Sequence, residues 1–263
     1  MGREGSVHIT IAHKGSNARD DRSVPPVYAA KLADVYDAIH SGKDYARESG
    51  YLLDVVRRHH PAARTLLETA CGTGRFLEAL QVEMEVTGLD LSPGMLARAA
   101  ERMPGAALHV GDMAEFSLGK TFDVVCCLFR SIAYLKTSDR LADAIGTMAR
   151  HLAPGGIVVI EPFFTPENFW VGRLTCNHHR DESMDITWMY ASERPSSRLG
   201  RYPIHFLVGS DAGVDHFVED HELGLFTPHD FQAAFDRAGL SLVYDPVGPT
   251  GIGLYIGKRS SRE

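Results

Sequence analysis

Apolar residues recur along the chain in two rhythms, and the change from one to the other marks out its elements. Between residues 29 and 39, Leu32, Val35, Tyr36 and Ile39 recur every three or four positions, the stripe of a helix buried on one side. After the break Ser41-Gly42-Lys43, the pattern predicts a second helix over 44–59. Residues 65–70 read as a buried strand, and Gly72-Thr73-Gly74 opens a helix reaching about residue 82. Strand 85–90, helix 93–103, strands 107–110 and 121–128, helix 138–151 and strand 157–161 follow. Strands alternating with helices are the sequence form of an open, mostly parallel α/β sheet.

Beyond residue 161 the alternation stops. Segments 184–190, 202–208 and 215–225 read as consecutive strands, an antiparallel excursion from the main sheet. A helix over 228–238, with Phe231, Phe235 and Ala238 on one face, and strands 240–244 and 253–258 close the chain. The expected organisation is one main domain, 25–170 and 227–263, interrupted at 171–226 by an antiparallel cap or oligomerisation insertion. Residues 1–24 are polar and read as a mobile arm or a stretch upstream of the native start.

Composition narrows the partners. The net charge is −7 and no lysine–arginine run exceeds a pair, so no positive footprint for a nucleic acid is present. No apolar stretch approaches a membrane span, and the first residues lack a signal-peptide core. The four cysteines, Cys71, Cys126, Cys127 and Cys176, form no CxxC pair, and adjacent Cys126 and Cys127 would point to opposite faces of one strand. Reduced, buried thiols in a cytoplasmic protein are the expectation. Cys176-Asn177-His178-His179 sits in an apparently polar loop without metal-ligand spacing, so no metal is expected.

The chemistry gathers at Leu67-Glu68-Thr69-Ala70-Cys71-Gly72-Thr73-Gly74, between a strand and a helix. Glycines there allow a tight turn and let a ligand approach the backbone. The third glycine of a dinucleotide fingerprint is missing, with Arg75-Phe76-Leu77 in that region, which argues against a diphosphate cofactor. Asp90 ends the next strand, sixteen residues after Gly74, where a carboxylate can accept both ribose hydroxyls of a nucleoside. Gly111-Asp112-Met113 ends the third strand, where Asp112 could accept an exocyclic amine of adenine while the Met113 backbone pairs with a ring nitrogen.

ETACGTG, GLDLS with a following GML, HVGDM, FDVV and LAPGG, in that order, resemble the class I methyltransferases over residues 43–162. The resemblance implies a Rossmann-like, seven-stranded, mostly parallel sheet with N-terminal helices, and S-adenosylmethionine as donor, leaving S-adenosylhomocysteine. It places cofactor contacts at Tyr36, Tyr45, Glu68, Ala70, Gly72, Gly74, Asp90, Leu91, Met95, Asp112, Met113 and Leu128. ADVYD, GKDY, SIAYLKT, EPFFTPENF and GPTGIGLYIG are further similar to the N,N-dimethyltransferases of desosamine and mycaminose formation, which act on nucleotide-linked amino sugars. That likeness makes Tyr28, Tyr36 and Tyr45 the tyrosines that close over cofactor and amine, and residues 129–134 the lining of the transfer centre.

Three positions depart from the amino-sugar pattern. Ile252 stands where those enzymes keep a diphosphate-binding arginine, Arg130 replaces a serine, and Ala133 replaces a glycine. Loss of a bidentate phosphate donor disfavours a diphosphate ligand. The expected acceptor is therefore an amine on a small natural-product intermediate, the proline-ring nitrogen of an N-demethyl lincosamide, as in the related lincosamide N-methyltransferases. A nucleotide-linked amino sugar is the alternative, and a non-catalytic S-adenosylmethionine-binding module the alternative of another class.

Transfer to nitrogen needs nitrogen, methyl and sulfur in line, and an amine with its lone pair free. Aromatic faces suit both the sulfonium and the alkylammonium product. Tyr28, Tyr36 and Phe129 are the expected catalytic cage, and Tyr28, Arg130, Tyr134 and Ile252 the expected substrate contacts. The segment Leu128-Phe129-Arg130-Ser131 lacks the Asn/Asp-Pro-Pro-aromatic motif of nucleic-acid amino methyltransferases. The antiparallel excursion makes a homo-oligomer the expected assembly.

Overall fold

The computed structural model describes residues 9–11 and 30–260. In chain order the elements before the insertion are β1 (Ile9–Ile11), α1 (Ala30–Ile39), α2 (Tyr45–His59), β2 (Thr65–Thr69), α3 (Arg75–Leu80), β3 (Glu85–Asp90), α4 (Pro93–Arg102), β4 (Ala107–Val110) and β5 (Phe122–Cys127). A short 3-10 turn at Ser131–Leu135, α5 (Ser138–Arg150) and β6 (Leu152–Ile160) follow. The insertion carries β7 (Leu174–Arg180), β8 (Asp185–Ala191), β9 (Glu193–Ser196), β10 (Leu199–Ser210) and β11 (Gly213–Gly224). The chain closes with α6 (Pro228–Arg237), β12 (Ser241–Asp245) and β13 (Leu254–Lys258).

The main sheet runs β1-β4-β3-β2-β5-β6-β13-β12, parallel except at β13, which pairs antiparallel with both β6 and β12. The seven expected strands are all there. The eighth, β1, pairs parallel with β4 and falls inside the segment read as an arm. Strand order reverses between β2 and β5, so their carboxyl ends splay apart and open a crevice.

The central strands are apolar on both faces because helices cover both. Leu67, Val125 and Cys127 pack with Ile145 and Met148 of α5 and with Phe231 and Phe235 of α6. Leu66, Val124 and Cys126 pack the other way, on Val56 of α2, Leu77 of α3 and Ala99 of α4. The period of two thus separates Cys126 from Cys127, as expected. Helix starts are set locally: Ser92 caps α4 with Pro93 at its first position, and Thr227 and Asp230 form a capping box on α6.

The insertion folds as a second, antiparallel sheet, β11-β10-β8-β7, with β9 paired to β10. Register fixes which residues face inward: Phe206 lies opposite both Trp188 and Phe217, and this row meets Leu32 and Val35 of α1. Helix α1 therefore lies between this sheet and the main fold. Strand β7 was expected as loop. It has few apolar positions and is largely exposed, so no period-2 signal could mark it. Its His178 pairs with Asp185 and its His179 with Asp181, and no cluster suited to a metal occurs among the described residues. Cys176 is exposed, unlike the other three cysteines.

Candidate active site

At the carboxyl end of β2 the backbone turns through left-handed conformations at Ala70 (φ 55°), Gly72 (φ 56°) and Gly74 (φ 76°). Ala70 holds this geometry with a Cβ, a local strain of about 1 kcal/mol that the surrounding bonds must offset. Asp90 supplies two of them: Oδ2 accepts the Gly72 N–H at 2.8 Å and Oδ1 the Ser92 N–H at 2.8 Å. Burial raises the Asp90 pKa, and these amide donors oppose the rise. Each oxygen keeps a further lone pair for a ligand.

The two glycines do different work. Nothing lies within 4 Å of a Cβ built on Gly72, so the space before it is open. A Cβ on Gly74 would meet Met103 Cε at 2.8 Å and Ala99 Cβ at 3.1 Å, so this glycine lets α4 approach the loop. Gly74 lines none of the cavities described below.

Glu68 is buried on β2, and its Oε2 has no hydrogen-bond partner among the described residues. Burial, and secondarily Asp90, push its pKa well above the usual carboxylate range. A buried acceptor of this kind is costly unless a ligand cation satisfies it. It lines a pocket with Tyr36, Tyr45, Ala70, Gly72, Leu128 and Phe129, joined by Thr73 and Arg75. Next to it, Asp90, Leu91, Met95, Asp112 and Met113 line a larger cleft with Ser131, Tyr134 and Arg140. Leu91 is 63% exposed at the rim, an apolar platform for a flat ring. Asp112 accepts the Ala114 N–H at 2.8 Å and pairs with Arg140, a partner that sequence spacing did not reveal.

Helix α1 is tied down over this loop. Asp37 accepts a hydrogen bond from Thr73 Oγ1 at 2.7 Å and pairs with Arg102 and Arg75, while Arg102 Nε donates to the Thr73 carbonyl at 3.0 Å. One residue earlier, Tyr36 reaches both cofactor-side cavities and a third chamber beyond them. Tyr28, expected to touch the amine, lies outside the described residues.

Strand β5 ends in two consecutive left-handed residues, Phe129 (φ 51°) and Arg130 (φ 65°). The Phe129 N–H donates to Glu161 Oε2 at 2.6 Å, and Glu161 Oε1 accepts from Thr250 Oγ1 at 2.6 Å, which pins the kink from the chain's closing segment. The Lys43 ammonium, paired with Glu48, sits 4.2 Å from the Phe129 centroid. His40 packs edge-on against Tyr36 at 4.5 Å and Phe129 at 5.1 Å.

The third chamber has a volume of about 240 Å³. Tyr36, Phe129, Arg130 and Tyr134 bound it on the core side, and Trp188, Tyr190, Tyr202 and His221 of the antiparallel sheet close it. His221 Nδ1 lies 2.8 Å from the Tyr134 hydroxyl. Burial lowers the pKa of both His40 and His221 to about 4, so both rings are neutral at pH 7. Neither histidine was singled out for the site, because a histidine on a mixed strand or helix end carries no periodic signal. Ile252, expected against the substrate, lies on the β12–β13 loop and lines none of the three cavities; its carbonyl accepts from the Tyr244 hydroxyl at 3.5 Å.

A parallel sheet opened at its switch point, a glycine loop after the first of its core strands and an acid closing the next define a class I methyltransferase. Residues 66–156 match the family profile described as a methyltransferase domain. The dTDP-3-amino-3,6-dideoxy-alpha-D-glucopyranose N,N-dimethyltransferase of Streptomyces fradiae is 42% identical over 88% of this chain and 91% of its own. The dTDP-4-amino-2,3,4,6-tetradeoxy-D-glucose N,N-dimethyltransferase of Saccharopolyspora spinosa is 40% identical over 89% and 95%. The S-adenosylmethionine-bound structure of CalS10, an amino pentose methyltransferase of Micromonospora echinaspora involved in calicheamicin biosynthesis, superimposes with a TM-score of 0.78 at 38% identity, covering 86% of this chain and 97% of that one.

The chain belongs to the class I S-adenosylmethionine-dependent N-methyltransferases of the amino-sugar N,N-dimethyltransferase type, which serve antibiotic biosynthesis. The lincosamide expectation finds no support in these relatives, which act on amino sugars. It rested on Ile252, which lies outside the chamber. The residues present suit the family's donor: an unpartnered buried carboxylate oxygen at Glu68, open backbone before Gly72 and two unsaturated acceptors at Asp90. Among the described residues, no helix is long and apolar enough to cross a membrane.

Proposed function

We propose that this enzyme methylates the amine of an amino sugar carried on a nucleoside diphosphate, ending at the N,N-dimethyl product. The observation that carries the reading is the continuity of the two sites. Tyr36 and Ser131 line all three cavities, Phe129 lines the pocket beside Glu68 and the chamber, and Tyr134 lines the cleft and the chamber. An amine in the chamber can thus reach a methyl donor in the cleft. The named activities of the relatives supply the chemical class of the acceptor.

In this reading Glu68 takes the donor's ammonium, Asp90 its ribose hydroxyls, and Leu91, Asp112 and Met113 its adenine. S-adenosylmethionine supplies an electrophilic methyl on a sulfonium. The chain's own contribution is mostly position and exclusion of water: Tyr36 and Phe129 confine the reacting groups between aromatic walls. Among the described residues no carboxylate lines the chamber, so no anionic partner there holds the amine in its protonated, unreactive form. Neutral His221, joined to Tyr134, adds no charge to the chamber, and with a pKa near 4 it is too weak a base to take a proton from the ammonium product, which must lose it to water.

Incubation with S-adenosylmethionine and dTDP-linked 3-amino and 4-amino sugars tests the reading by mass spectrometry. The expected products carry one and then two added methyl groups. No mass gain on any nucleotide-linked amino sugar would reject it.

A further inference from the structure

Arg130 is a half-buried cation without a counter-charge among the described residues. Its side chain has no hydrogen bond or ion pair among the described residues, and its Nε is buried and unsatisfied. The guanidinium carbon lies 5.8 Å from the Phe164 ring centroid, and the charge is close enough to Tyr202 to favour its ionised form against burial. Among the described residues, the chamber it lines holds tyrosines, neutral histidines and apolar rings but no carboxylate. A guanidinium whose Nε is shut off from water and unpaired is costly unless an acceptor, such as an anion, enters. The residue is also held in a left-handed conformation (φ 65°), between Phe129 and Ser131 of the transfer site. This backbone fixes the direction in which the side chain leaves β5.

We propose that Arg130 binds the diphosphate of the acceptor. This rests on the amino-sugar nucleotide reading above and adds to it the residue that recognises the phosphate. Guanidinium matches phosphate oxygens in bidentate fashion, which lysine does not. The charge serves the reaction as well, because a cation beside the chamber disfavours an ammonium there.

Calorimetric titration of dTDP and of thymidine, with S-adenosylhomocysteine bound, tests the assignment on wild type, Arg130→Gln and Arg130→Lys. Arg130→Gln is expected to weaken dTDP at least about tenfold, with Arg130→Lys between it and wild type. Thymidine and S-adenosylhomocysteine affinities should not change. Equal dTDP affinity in wild type and Arg130→Gln overturns the assignment but leaves the amino-sugar reading standing, as does an equal loss for thymidine and dTDP. Failure of wild type to bind dTDP overturns both. Should Arg130→Gln also lose S-adenosylhomocysteine, Arg130→Lys decides: weakened dTDP with an intact cofactor site supports the role, and unchanged dTDP refutes it.

Discussion

At the scale of single residues, the site is built from groups that would be liabilities in an empty protein. Glu68 is the sharpest case: burial holds its pKa well above the usual range, and Oε2 has no partner. A ligand ammonium would reverse that, favouring the carboxylate. The sign follows directly: below its raised pKa the free protein's Glu68 holds the proton and the complex releases it, so cofactor affinity rises with pH until the free protein's Glu68 ionises. Calorimetry in buffers of different ionisation enthalpy should detect this release in wild type and none in Glu68→Gln, which should bind S-adenosylmethionine about tenfold more weakly. An unchanged proton count in Glu68→Gln would remove Glu68 from that role. Residue types at the cofactor loop were legible in the sequence because the motif fixes them. The close approach of α4 at Gly74 was not legible, since a glycine that admits a helix and one that admits a ligand look alike until α4 is in place.

At the scale of elements, α1 matters most, because it carries Tyr36 and separates the cofactor loop from the antiparallel sheet. It is held to that loop through Asp37, which joins Thr73, Arg75 and Arg102. Asp37→Asn would keep the side chain's size and remove its charge. We expect roughly tenfold weaker cofactor binding, from the loss of charge-assisted bonds, together with faster amide exchange across α1. Unchanged exchange and affinity would show that α1 is positioned by its apolar face alone. The sequence located α1, β3, β4 and α6 to within a residue or so, because their patterns are strong or their caps explicit. It did not locate β7 or β9: their few apolar positions leave no alternation to read. The Arg140–Asp112 pair escaped for a related reason, since an ion pair between elements leaves no local trace.

At the scale of the whole molecule, two sheets meet around one chamber, and the proposed acceptor site exists only where they do. The main fold was legible in the sequence, but not that Tyr190 and Tyr202 join Trp188 on the insertion's inner face to close the chamber. The arrangement buries His40 and His221 as neutral rings with pKa near 4, against about 6.5 unfolded. Groups depressed in this way are neutral in both states above pH 6.5, and the unfolded chain binds more protons as pH falls from 6.5 toward 4. Stability should therefore drop across that window, by on the order of 3 kcal/mol for each ring. Thermal unfolding from pH 7 to 4.5 should show the loss, and His221→Asn should flatten it; an equally steep loss in the variant would mean that His221 is not buried neutral.

The central claim is that the cleft and the chamber deliver one methyl group after another to nitrogen on a nucleotide-linked amino sugar. Turnover with methyl-13C S-adenosylmethionine, read by a proton–carbon correlation spectrum of the product, tests it most directly. The label should appear on methyls bonded to the sugar nitrogen, first one and then two. Label on oxygen, or donor left unconsumed with every amino-sugar nucleotide tried, would contradict it.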